Sequence, residues 1–137
     1  MKAKKMIIFT DGASRGNPGP AAIGAVIKDE RGRVITTISQ HIGRSTNNQA
    51  EYRAIIAALE EAIKLGATHV KLNSDSELVV KQINGRYKVK KLALRPLYQK
   101  IVQLVGSLEH FTIAHIPRTQ NVEADNLANA ALDLMVD

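Results

Sequence analysis

A five-stranded mixed α/β sheet, with strands one to three antiparallel, strands four and five parallel to strand one and helices on both faces, is the fold class that these 137 residues predict. Three observations carry that expectation. The first third of the chain holds three β-prone runs separated by turn formers. A long segment with apolar residues at helical spacing follows. Two further short β-prone runs then alternate with helical segments, and right-handed crossovers of that kind return a strand parallel to the first one.

Each element follows from local residue chemistry. Lys5 to Thr10 (KMIIFT) is a β-rich run, and Asp11-Gly12 with Gly16-Asn17-Pro18-Gly19-Pro20 supply turn formers after it, so the first strand is expected to end at Asp11. Ala22 to Lys28 and Val34 to Ile42 flank the turn Asp29-Glu30-Arg31-Gly32 and complete a meander. From Asn48 to Leu65, Ala50, Ala54, Ile55, Ala58, Leu59, Ala62 and Ile63 recur at helical spacing, and Gly66 stands ready to close the helix. His69 to Ser74 reads as a fourth strand, and Ser76 to Ile83 as a short helix closed by Asn84-Gly85. A helix from Pro96 to Val105 ends at Gly106, and His110 to Ile116 alternates as a fifth strand stopped by Pro117. Asn121 is placed to cap a last helix through Met135, with Ala124, Leu127, Ala128, Ala131 and Leu134 on its apolar side. There is no internal repeat, linker or low-complexity segment, so residues 1–137 are expected to form one domain.

Composition narrows the function. A formal charge of +6 and a pI near 9.7 suit a polyanionic partner, although surface charge also serves solubility. Aromatic residues make up only 4% of the chain and there is no Trp, which leaves few groups for stacking single-stranded bases. The chain has no cysteine, which excludes disulfides, thiolate nucleophiles and thiolate zinc sites and points to a cytoplasmic location. The apolar run before Asp11 is too short for a signal peptide or a membrane span.

Four acids stand at positions where such a topology gathers side chains at one end of the sheet. Asp11 ends strand one, on a face shared with Ile7 and Phe9; Glu51 is expected in the first turn of the long helix, on its apolar stripe; Asp75 follows strand four; Asp125 lies one turn inside the last helix. Each has an ordinary explanation when taken alone, as a turn former, a helix-dipole partner or a cap. Together they are carboxylates whose mutual repulsion is relieved by a divalent cation, and an all-oxygen set favours Mg²⁺, with Mn²⁺ able to substitute. Two such ions about 4 Å apart can activate a water and stabilise a leaving oxygen in phosphodiester hydrolysis.

The ordered set Thr10-Asp11-Gly12-Ala13-Ser14, Gly16-Asn17-Pro18-Gly19-Pro20, Thr46-Asn47-Asn48-Gln49-Ala50-Glu51, Ser74-Asp75-Ser76 and Asn121-Val122-Glu123-Ala124-Asp125 resembles type 1 ribonuclease H over nearly the whole chain. The resemblance implies an endonuclease that cuts the RNA strand of an RNA/DNA hybrid to leave 3′-hydroxyl and 5′-phosphate ends. It makes Asp11, Glu51, Asp75 and Asp125 the ligands of two Mg²⁺ ions; a monomer is expected, and double-stranded RNA stands beside the hybrid as a candidate partner. It assigns Asn17, Asn47 and Glu77 to reading the minor groove, where 2′-hydroxyls distinguish RNA from DNA. Glu77 departs from the Gln common in relatives, which removes a donor. Arg44 and Thr46 resemble a pocket that grips a phosphate of the DNA strand. The family often carries a mobile His before its last Asp, and here that place falls on His115 or Arg118. The loop position favours Arg118, whose role would be electrostatic because an Arg holds its proton. The basic protrusion of many relatives is reduced to Arg86–Lys91, so binding is expected to spread over Lys81, Lys88, Lys90, Lys91 and Arg95.

Overall fold

The computed structural model describes residues 3–134. Its elements run β1 (Lys5–Ser14), β2 (Gly19–Asp29), β3 (Val34–Ser45), α1 (Asn47–Lys64), β4 (His69–Ser74), α2 (Glu77–Ile83), α3 (Arg95–Val105), β5 (His110–His115), a 3₁₀ turn (Arg118–Gln120) and α4 (Val122–Asp133). The sheet order is β3-β2-β1-β4-β5. β1 pairs antiparallel with β2 and parallel with β4, and β5 is parallel to β4, as the sequence predicts. Strand order therefore reverses between β1 and β4, and side chains leaving the ends of those strands face a shared crevice.

The boundaries have visible causes. Asp29 Oδ1 accepts from the backbone N–H of Arg31 and of Arg33, each at 2.9 Å, and Gly32 adopts φ +83°, which closes the β2–β3 turn. Thr46 Oγ1 accepts from Gln49 N at 3.1 Å while Gln49 Oε1 accepts from Thr46 N at 2.9 Å, a reciprocal cap that fixes where α1 begins. At its far end Gly66 takes φ +92° and donates to Ile63 O at 2.9 Å, the left-handed closure for which glycine is suited.

The main core lies between one sheet face and α1 to α3. Met6, Ile8, Tyr52, Ile55, Leu59, Leu72, Val79 and Ile101 belong to it. The opposite face carries α4, whose Ala131 and Leu132 pack on Ala22. Among the described residues no helix is long and apolar enough to cross a membrane.

Three expectations need correction. β1 does not stop at Asp11: Asp11 and Gly12 are paired in the sheet with Gly24 and Ile23. The Asp-Gly step reads locally as a turn, but Gly12 is required for a tertiary reason, because a Cβ there would fall on the backbone of Ala50 and Glu51 in α1. Glu51 lies in the second turn of α1, because the cap at Thr46 starts the helix at Asn47. Leu134 is 88% exposed, and Leu132 occupies the apolar side of α4 instead. α4 ends at Asp133 with Leu134 as its C-cap, short of the expected end at Met135, which itself lies outside the described residues.

Gly24 does for α4 what Gly12 does for α1: a Cβ on it would strike Ala124 O and Ala128 N. Gly24→Ala is therefore expected to lose about 3 kcal/mol or more of stability by lifting α4 off the sheet. Gly106→Ala, at an ordinary helical φ of −61°, should lose less than about 1 kcal/mol. Thermal unfolding of the two variants followed by circular dichroism would compare these losses.

Candidate active site

The crevice between β1 and β4 is built from two strand ends and two helix starts. Asp11 leaves β1 on the face toward α4 and is 7% exposed. On the other side of the same strand, the close approach at Gly12 brings Glu51 down to the sheet, where its Oε1 accepts a hydrogen bond from Gly12 N. Glu51 is 8% exposed. Asp75 follows β4 and is not consumed as a helix cap, because Ser76 takes that role with Oγ accepting from Val79 N at 3.4 Å. Asp125 projects from the first turn of α4, and Asn129 one turn later donates from Nδ2 to its Oδ1 at 3.2 Å.

One carboxylate oxygen from each of Asp11, Glu51 and Asp75 lies within 4.8 Å of the other two. Asp125 stands outside that tight group but lines the same cleft of about 530 Å³, together with Arg118 and Asn47. Burial, then the charge of Glu51, then the proximity of Asp125 and Asp75 push the Asp11 carboxyl up to about 10. Burial raises Glu51 to about 7 even though the Gly12 N–H pulls it down. An apolar setting and like charges both disfavour ionisation, so a metal-free site holds protons on this pair near neutral pH.

That donor set fits a hard divalent cation. The clustered ligands are all carboxylate oxygens, and neither His nor Cys lines the cleft, which suits Mg²⁺ or Mn²⁺ better than Zn²⁺. A cation there would replace the protons and cancel the repulsion.

The remaining residues singled out from sequence divide into those at the cleft and those beside it. Arg118 lines it, whereas His115 sits exposed at the end of β5 and does not. Asn47 lines it, with its Oδ1 accepting from Ser14 N at 3.1 Å, and its backbone N–H donates to Asn17 Oδ1 at 3.1 Å. Asn17 is thereby tied to the rim. Thr46 spends its hydroxyl on the α1 cap, and the side chain of Arg44 is exposed on β3 outside the cleft. Glu77 also lies outside: it pairs with Lys81 at 2.6 Å, and that bond holds its carboxyl below the usual range. Sequence reasoning missed Asn129, whose i, i+4 relation to Asp125 on a helix was the available signal. Asn121 holds the N-cap position of α4 that the sequence predicts, but its side chain makes no capping bond.

Residues 9–131 match the reverse transcriptase-like family. The bifunctional protein Rv2228c of Mycobacterium tuberculosis is 47% identical over 130 residues, covering 94% of this chain and 36% of its own length. Ribonuclease HI of Halobacterium salinarum is 46% identical over 125 residues, covering 91% of this chain and 63% of its own. The chain thus spans about a third of the first relative and under two thirds of the second. The crystal structure of RNase H1 from Halobacterium salinarum superposes with a TM-score of 0.92 at 44% identity, covering 94% of this chain and 98% of that one. LC11-RNase H1, solved in complex with an RNA/DNA hybrid, gives a TM-score of 0.92 at 43% identity, covering 96% and 99% of the two chains.

The raised carboxyls set the pH dependence of the metal-free fold. Between the unfolded carboxylate range near pH 4 and the folded values, the native state binds more protons than the unfolded one, so stability falls as pH rises. The stabilising contribution is complete below about pH 4 and is lost as pH climbs through about 7 for Glu51 and about 10 for Asp11. In chelator the melting temperature should fall from pH 5 to pH 9. Asp11→Asn should flatten that slope and raise the pH 8 value by roughly 5 °C, and Mg²⁺ should stabilise wild type more at pH 8 than at pH 5. Differential scanning calorimetry across that range would measure all three effects.

Proposed function

The chain belongs to the type 1 ribonuclease H family, and on that premise we propose that it hydrolyses the RNA strand of RNA/DNA hybrids at the β1–β4 crevice, leaving 3′-hydroxyl and 5′-phosphate ends. The observation that carries this reading is the convergence of Asp11, Glu51 and Asp75 within 4.8 Å in a desolvated crevice, with Asp125 and Arg118 on its wall. Residues 1–137 act in it as one ribonuclease H domain, and a ribonuclease H domain forms the N-terminal part of the mycobacterial relative. The absence of cysteine fits work in a reducing cytoplasm.

Asp11, Glu51, Asp75 and Asp125 hold two Mg²⁺ ions in this reading. When bound, the ions supply charge neutralisation at the scissile phosphate and a means of activating the attacking water. The protein contributes position. Gly12 N–H orients Glu51, and Asn129 orients Asp125, so little reorganisation is left for the moment of reaction. Arg118, permanently charged, stabilises negative charge on the phosphate or the departing product and carries no proton. Asn47 and Asn17, linked to each other at the rim, offer amide donors and acceptors to 2′-hydroxyls of the RNA strand. Arg44 and the start of α1 at Thr46 grip a phosphate of the DNA strand, with the α1 N-terminus adding its positive end. Glu77, neutralised by Lys81, is a weak groove reader, and its place in binding is taken by the basic side chains of Lys88, Lys90 and Lys91.

Labelled RNA/DNA hybrid, double-stranded RNA and double-stranded DNA offered with Mg²⁺, Mn²⁺ or chelator would test this. Internal cuts in the RNA of the hybrid, dependent on metal, are expected from wild type. Asp11→Asn should lower the rate by at least about a thousandfold, and full activity in that variant would end the proposal. Arg118→Ala should lower kcat about tenfold or more with a smaller change in KM, in the range of a single lost charge-stabilising group. Steady-state kinetics on a short hybrid would separate the two constants.

A further inference from the structure

Asn121 is 1% exposed and sits immediately before α4, where a short polar side chain ordinarily caps the helix. It makes no such bond. Its Nδ2 reaches across 111 positions of sequence to donate to Thr10 O at 2.9 Å, one residue before Asp11. Its backbone carbonyl accepts from Asp125 N at 3.1 Å, and its backbone N–H donates to Arg118 O at 3.0 Å. One residue is therefore bonded to the β1 segment that carries Asp11, to the helical turn that carries Asp125 and to the turn that carries Arg118.

The local chemistry is unfavourable for a purely structural residue. Asn121 Oδ1 is buried without a hydrogen-bond partner, and a buried unpaired acceptor destabilises the fold. Serine or aspartate at the same place would cap α4 and leave less unsatisfied. What asparagine alone among these provides is an amide donor long enough to reach the end of β1.

We propose that Asn121 is a positioning residue: its carboxamide fixes α4 against the end of β1, which sets the spacing of Asp11 and Asp125 and the placement of Arg118, and so determines how tightly the cleft holds its divalent cation. This rests on the hybrid-cleaving, metal-dependent reading of the same cleft. Groups that orient metal ligands from behind typically change metal affinity by about 10–100-fold when removed.

The test compares wild type with Asn121→Leu, which keeps the shape without the donor, with Asn121→Ala, and with Ile101→Val as a core change remote from the cleft. Mg²⁺ binding is measured by calorimetry on the protein without nucleic acid, and metal-free melting temperature, kcat and KM for a hybrid are measured alongside. Asn121→Leu is expected to stay folded, to weaken Mg²⁺ binding about tenfold and to raise the Mg²⁺ concentration for half-maximal rate to match, with KM for the hybrid within about twofold of wild type. Ile101→Val should change melting temperature alone. Unchanged Mg²⁺ affinity in a folded Asn121→Leu or Asn121→Ala, or an equal loss in Ile101→Val, would overturn the proposal, as would failure of both Asn121 variants to fold, which would make the residue structural. A wild type that neither binds Mg²⁺ nor cuts hybrid would instead bring down the functional reading beneath it.

Discussion

Carboxylates that repel one another are kept in near-dry surroundings by two helices pressed against opposite faces of one pair of strands. Gly12 and Gly24 make that approach possible, because each lacks the Cβ that would strike a helix backbone. The two sit in adjacent cross-strand pairs, Asp11 with Gly24 and Gly12 with Ile23, so the helices close on the sheet within a residue of each other. The placement of two of the crevice's acids follows from that geometry. α1 delivers Glu51 to the Gly12 amide, and α4 delivers Asp125 beside Asp11. Burial then raises the energy of the ionised pair, which is the condition under which a divalent cation binds with most advantage.

The division of labour between neighbouring polar residues is equally physical. Ser76 caps α2 and leaves Asp75 free, and the Thr46–Gln49 reciprocal cap places Glu51 on the buried stripe of α1. Where a helix start would otherwise consume an acid as a cap, a hydroxyl beside it takes that duty. Asp75 can then remain available where simple helix capping would have used it.

Much of this was legible in the sequence, for reasons that differ by element. α1 was readable because seven apolar positions repeat at helical spacing and a glycine closes them; β4 and β5 were readable because short β-prone runs end at Asp75 and Pro117. The sheet order followed from crossover handedness. The extension of β1 through Asp11 and Gly12 was hidden, because Asp-Gly is a turn signal locally and its true cause, the backbone of α1, lies nearly forty residues away. The misplacement of Leu134 on the buried side of α4 came from extrapolating a helical stripe past Asp133, where the helix stops. Grouping the four acids succeeded because strand-end and helix-start positions are topological, but the 4.8 Å clustering of only three of them, and the part played by Asn129, depend on side-chain geometry that spacing does not encode.

The bond from Asn121 to Thr10 joins the first strand of the chain to the entrance of its last helix. Protein synthesis is directional, so the strands that carry Asp11 and Asp75, and the helix that carries Glu51, all leave the ribosome before the turn that carries Arg118 and the helix that carries Asp125. A nascent chain can pair its central strands and bury Tyr52 and Ile55 while its crevice still lacks one wall. Along these 137 residues the crevice is thus completed late, its final acidic and cationic groups following the strands and the helix that carry the others.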